Sequence, residues 1–120
     1  MKLIRSLQLA QSGIRYAFAT QPNMRFHGLV TLLVIVAAAG FKVSLLEWMV
    51  LLFTILLMLT AEMINTSLEA MTDLITREHR ESAKVAKDVS AGMVLLNAVG
   101  SVIVGLVIFG PKIASLIFEN

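Results

Sequence analysis

The 120 residues contain no cysteine, so neither a disulfide framework nor a thiolate metal site can be built. Charge is scarce as well. Charged residues make up 15% of the chain and the net charge is +2, too little for a nucleic-acid surface, and few aromatics are on hand to stack on bases. Neither a G-x-x-x-x-G-K-[ST] phosphate loop nor the protein-kinase motif set is present. The first 27 residues hold Lys2, Arg5, Arg15 and Arg25 and lack the apolar core of roughly 7–15 residues that a secretory signal needs. What the chain has in excess is apolar side chains. They reach 58%, against roughly 45–50% in soluble domains, and they gather in long runs, which is the pattern of membrane spans. The length suits one domain, residues 1–120.

Leu3, Leu7, Ala10, Ile14 and Ala17 recur at three- and four-residue spacing, with Ile4 and Phe18 alongside. This predicts an amphipathic helix over about residues 2–20, lying in the membrane interface with its basic face outward. Pro22 and Asn23 break it, and Asn23 is a suitable N-cap for the next helix. The apolar run from Gly28 to Phe41 ends in a polar turn marked by Lys42, Ser44 and Glu47. A second run starts at Trp48, and a third extends from Val89 to Phe109 and stops at Gly110-Pro111. With flanking residues added, spans are expected at about 24–42, 47–75 and 84–110. Eight of the ten Lys and Arg residues precede the first span or lie between the second and third, leaving Lys42 and Lys112. The positive-inside rule therefore places the N-terminus and the 76–84 loop in the cytoplasm. Three helices enclose little by themselves, so a homo-oligomer is expected, and Ala91, Ala98, Ser101 and Gly105 offer a close-packing stripe. Tyr16 and Trp48 suit interfacial anchoring, and Asn97 an interhelical hydrogen bond.

The second span carries Glu62, Asn65, Glu69 and Asp73 toward the cytoplasm. At ~100° per residue they project at roughly 0°, −60°, −20° and +20°, so they share one side. Glu62 lies about 21 Å along the helix from Trp48, still within or at the edge of a ~30 Å hydrocarbon core. A carboxylate there costs at least ~2.5–3.5 kcal/mol and marks function by default. Carboxylates in line also repel, and need cations, protons or both. Lys84 and Asp88 are four apart and can pair, which frees Lys87 to reach the acidic face. Spacing alone leaves three readings open: interhelical salt bridges, ion- or proton-coupled transport, and a metal-phosphate enzyme. The ionisable groups gather at the cytoplasmic end of the spans, whereas a transporter would need charge near the midplane.

The segment Glu62-Met-Ile-Asn65-Thr-Ser-Leu-Glu69-Ala-Met-Thr-Asp73, followed by Ala86-Lys87-Asp88-Val-Ser-Ala-Gly92, resembles the prokaryotic diacylglycerol kinase / undecaprenol kinase family. The resemblance covers almost the whole chain. It implies an all-α membrane protein with a surface helix and three transmembrane helices, assembled as a homotrimer with active sites shared between subunits. The setting it implies is a bacterial inner membrane, with ATP and Mg²⁺ arriving from the cytoplasm and a membrane lipid alcohol as acceptor. Carried over by position, Glu62 matches the catalytic base, Asn65 a group near the γ-phosphate, and Glu69 a ligand of Mg²⁺. Asp73 matches an acid supporting the nucleotide site, Lys87 the lysine on the transferred phosphate, and Asp88 its neighbouring acid. Glu78 and Arg80 fall where the loop meets adenosine.

One departure stands out. Many relatives have a second metal-binding glutamate where this chain has Gln21, whose amide oxygen can still coordinate a hard cation with one charge fewer. That substitution is also the one feature favouring an inactive relative that acts as a scaffold. Arg25 and His27 at the start of the first span resemble the undecaprenol branch, since relatives preferring diacylglycerol tend to have an acid in place of His27. Undecaprenol is the expected acceptor, with diacylglycerol as the alternative.

Overall fold

The computed structural model describes residues 1–119, which form four helices: α1 (Lys2–Thr20), α2 (Pro22–Gly40), α3 (Leu45–Ile75) and α4 (Glu81–Phe118). α2, α3 and α4 are each long and apolar enough to cross a membrane. At ~1.5 Å per residue, the 38 residues of α4 account for the 59 Å longest dimension. α3 packs along α4 and less extensively against α2, while α1 touches α2 and α3.

Proline sets the first break. Gln21 is extended (φ −110°, ψ 110°), because a residue before proline is driven out of the α region. Pro22 then opens α2 at its first position, where the missing N–H has no helical partner to lose. Gln21 is thus the N-cap, and Asn23, expected in that role, lies inside the helix. α1 rests on the bundle through buried Ala17 and through Phe18. The Phe18 ring lies over Gly28, where an added Cβ would stand 2.8 Å from Cε1, so the bare backbone at Gly28 makes room for the ring.

The α2–α3 turn is built from two caps. The Lys42 N–H donates to Ala39 O and the Val43 N–H to Ala38 O (both 3.2 Å), which is the Schellman pattern. Its left-handed position is Lys42 (φ 52°), a residue with a Cβ where glycine is usual. Val43 and Ala38 are both buried and join Leu51 and Ile108 in the core, flanked by Trp48 and Phe109. Ser44 caps α3 with a reciprocal box: its Oγ accepts from the Glu47 N–H (3.1 Å) and Glu47 Oε1 accepts from the Ser44 N–H (3.0 Å). Glu47 Oε2 accepts from Lys112 Nζ at 2.6 Å, tying the turn to α4.

Two expectations change at α4. The helix does not stop at Gly110-Pro111 but continues to Phe118 with Pro111 inside it. Pro111 has no N–H to offer Val107 O, a loss that transmembrane helices tolerate, and on the next residue Lys112 Nζ donates to Ile108 O (3.1 Å). Among the described residues Asn97 makes no interhelical bond, and its amide donates to Met93 O in its own helix. Large apolar side chains such as Leu32, Phe53, Leu57, Leu96 and Leu106 face outward, the inverse of a soluble domain.

Two changes in this one turn should act in opposite directions. Lys42→Gly removes the left-handed penalty of ~1–2 kcal/mol, offset in part by glycine's greater freedom when unfolded, and should raise stability. Ser44→Ala should lower it by ~1 kcal/mol. SDS-induced unfolding in mixed micelles reads both, and equal midpoints for the two variants would contradict the assignment.

Candidate active site

The polar residues collect away from the α2–α3 turn, where the start of α2, the end of α3 and the start of α4 meet. Glu62 is buried at 3% exposure, beside buried Ala61 and Met58 on the same helix. Its Oε1 lies 3.2 Å from His27 Nε2 on α2, and the imidazole side chain is 17% exposed. The contact lacks hydrogen-bond alignment, so Oε1 is a buried carboxylate oxygen without a hydrogen-bond partner among the described residues. Such an atom is costly to keep, and the cost points to chemistry rather than stability.

Further along α3, Asn65 Nδ2 donates to Glu69 Oε1 (3.4 Å), and Asn65 Oδ1 accepts from the Ser90 hydroxyl on α4 (2.7 Å). Two turns beyond Asn65, Asp73 Oδ1 accepts from Lys87 Nζ at 2.7 Å. Lys84 pairs with Asp88 one turn apart on α4, leaving Lys87 to cross to α3. In the loop, Glu78 holds the Arg80 guanidinium (3.2 Å), and its N–H donates to Thr76 Oγ1 (3.1 Å). A cavity of about 210 Å³ is lined by Asp73, Glu78, Arg80, Lys87 and Asp88 together with His79.

The sequence-marked residues thus fall into linked groups: Glu62 with His27, Asn65 with Glu69, and five others around one cavity. Two stand apart. The Gln21 side chain gives no cap bond and the Arg25 side chain is exposed, and neither makes a hydrogen bond or ion pair among the described residues. Ser90 and His79 had not been singled out. Ser90 lies three residues after Lys87 and so on the same face of α4, a signal that could have marked it.

Among the described residues no three His, Cys, Asp or Glu side chains come together as a metal cage. Glu69 fits a different arrangement. With Oε1 taken by Asn65, Oε2 is left for a hard cation that brings water and phosphate oxygens as its other ligands, which is how Mg²⁺ is commonly held.

A helical membrane protein with a buried carboxylate at an apolar boundary and a basic–acidic cavity beside it is suited to joining a charged and an apolar substrate. The model of the prokaryotic diacylglycerol kinase family matches residues 8–109. The chain belongs to that family and is a lipid kinase, which implies ATP and a divalent metal. It is 41% identical over 115 residues to a diacylglycerol kinase of Synechocystis sp., covering 95% of this chain and 66% of that protein. It is 38% identical over 112 residues to the undecaprenol kinase of Bacillus subtilis, covering 93% of this chain and 91% of that protein. A diacylglycerol kinase of Escherichia coli is 28% identical over 102 residues, or 85% of this chain and 84% of that protein.

The Lys87–Asp73 pair gives a direct check on the cavity. The two side chains are 43% and 58% exposed, so the pair contributes no more than ~1 kcal/mol to stability. Asp73→Asn should leave the unfolding midpoint nearly unchanged while raising the KM for ATP several-fold. A large loss of stability with unchanged KM would make the pair a structural bridge.

Proposed function

We propose that this protein transfers the γ-phosphoryl group of ATP to the hydroxyl of a membrane lipid alcohol, with undecaprenol as acceptor. The observation that carries the proposal is a groove of about 370 Å³ between α2, α3 and α4. Val30, Val34, Leu51, Met58 and Phe109 line it, and His27 forms its end, in contact with Glu62. An apolar chain laid in this groove brings its hydroxyl to Glu62, the one buried carboxylate among the described residues.

Glu62 accepts the proton of that hydroxyl as its oxygen attacks phosphorus, and His27 lies beside the hydroxyl end of the acceptor, with Arg25 nearby in sequence. Lys87, anchored on Asp73, meets the phosphate oxygens, and the Asn65 amide faces the same region. Asp88 steadies the entry of α4 through Lys84, while Glu78 and Arg80 meet the adenosine part. Glu69 holds the divalent metal, here assigned as Mg²⁺, with the Gln21 amide oxygen as a second contact. When bound with ATP, that ion offsets charge on the β- and γ-phosphate oxygens.

Several features support the setting. Eight of the ten Lys and Arg residues sit at the end that carries this site, which favours a cytoplasmic N-terminus and active site in a bacterial inner membrane. The residues of α1 alternate in a way that suits a surface helix. The outward apolar side chains of the three long helices suit lipid contact and a homotrimer whose subunits complete one another's sites. At the far end Lys112 pairs with Glu47, and the ionisable residues of the spans otherwise gather at the end that carries the site, whereas ion-coupled transport would need charge near the midplane.

Diacylglycerol is the second acceptor to consider, because the Synechocystis relative carries that name. Undecaprenol is favoured by His27 at the start of α2 and by the undecaprenol kinase of Bacillus subtilis, 38% identical and matched over 91% of its length.

Glu62→Gln keeps the shape of the side chain and removes its basicity. Lipid phosphate formation should fall at least ~100-fold with helix content and oligomer unchanged. Near-normal turnover in this variant would remove Glu62 from the role of base.

A further inference from the structure

Among the described residues only two polar side chains are buried: Glu62, at 3% exposure, and Ser90, at 2%. Ser90 is the one for which the reaction scheme above has no use. Its hydroxyl sits on α4 and donates to Asn65 Oδ1 on α3 at 2.7 Å. The other end of the same amide, Nδ2, donates to Glu69 Oε1. An ionised carboxylate can only accept, so the amide must present its NH₂ to Glu69 and turn its carbonyl toward α4. A carbonyl placed there without a donor would be under-satisfied, and rotating the amide would set its oxygen against the Glu69 carboxylate. The Ser90 hydroxyl removes both problems. Together with Lys87 one turn earlier, it makes α4 grip α3 at two points, Asn65 and Asp73.

We propose that Ser90 is a positioning residue: through Asn65 its hydroxyl fixes the orientation of the Glu69 carboxylate that receives the divalent metal. The proposal rests on the reading of Glu69 as a metal contact. Ser90 touches neither substrate nor metal in this role and acts only through the amide. The hydroxyl–amide–carboxylate chain commits Glu69 Oε1 to the protein and directs Oε2 to the ion.

The test is Mn²⁺ binding by electron paramagnetic resonance, on the purified full-length protein in micelles with β,γ-methylene ATP. Ser90→Ala, Ser90→Thr, Ser90→Cys and Glu69→Gln are compared with the unchanged chain. Loss of a buried neutral hydrogen bond should weaken Mn²⁺ binding about 5- to 10-fold in Ser90→Ala, while Ser90→Thr, which keeps the hydroxyl, stays within about twofold. Glu69→Gln should lose the site. Loss of Mn²⁺ in Glu69→Gln with unchanged affinity in Ser90→Ala would overturn the positioning role and leave the metal reading intact. Equal losses in the Ala and Thr variants would assign Ser90 to packing and overturn it too. Unchanged Mn²⁺ binding in Glu69→Gln would overturn the metal reading itself. If the Ala variant does not fold, Ser90→Cys, a weaker donor, should give an intermediate affinity, and unchanged affinity there would refute the proposal.

Discussion

Glu62 keeps a carboxylate out of water on the inner face of α3, with one oxygen facing only the His27 imidazole. Removing a charged group from solvent is among the most expensive things a fold can do, and more so at membrane level. The neighbouring structure can be understood as the arrangement that makes this placement possible and useful. α2 brings the imidazole to within 3.2 Å, and the same imidazole lines the apolar groove between α2, α3 and α4. One to three turns further along α3, Asn65, Glu69 and Asp73 face the start of α4.

The two ends of the bundle divide the labour. At the α2–α3 turn a Schellman cap, a capping box and the Glu47–Lys112 pair satisfy the polar groups locally, and the apolar core lies directly beneath. At the opposite end polar groups link α3 to α4 through Ser90 and Lys87, and a cavity opens toward the 76–80 loop. One end fixes the helices in register. The other can then carry unpaired and repelling charges. In a family whose substrates are a nucleotide and a membrane lipid, that polarity lets each substrate arrive from its own phase.

Much of this could be read from the sequence, because its signals are one-dimensional. Apolar runs broken by Lys42, Ser44 and Glu47 give the helix order, and the 3.6-residue period puts Glu62, Asn65, Glu69 and Asp73 on one side. The pairing of Lys84 with Asp88 left Lys87 to cross to α3, which it does at Asp73. What escaped depends on three dimensions. The bond from Ser90 to Asn65 needs the register of two helices, and no pattern along one of them contains it. Lys42 takes a left-handed position because two carbonyls of α2 lie within reach, although glycine is the usual residue there. The breaker at Pro111 misled because its cost is local, one backbone hydrogen bond, and α4 continues through it to Phe118. Gln21 stands at the N-cap of α2, extended before Pro22, with a side chain that makes no cap bond.

The central claim is that the groove and the buried carboxylate together deliver a lipid hydroxyl to ATP. It is tested most directly by incubating the purified protein with γ-labelled ATP and Mg²⁺ in micelles holding undecaprenol and diacylglycerol in equal amounts. The account predicts labelled lipid, with most of the label in undecaprenyl phosphate. Label chiefly in phosphatidate would keep the kinase and reverse the acceptor. No label in either lipid, from protein that is folded and oligomeric, would contradict the account.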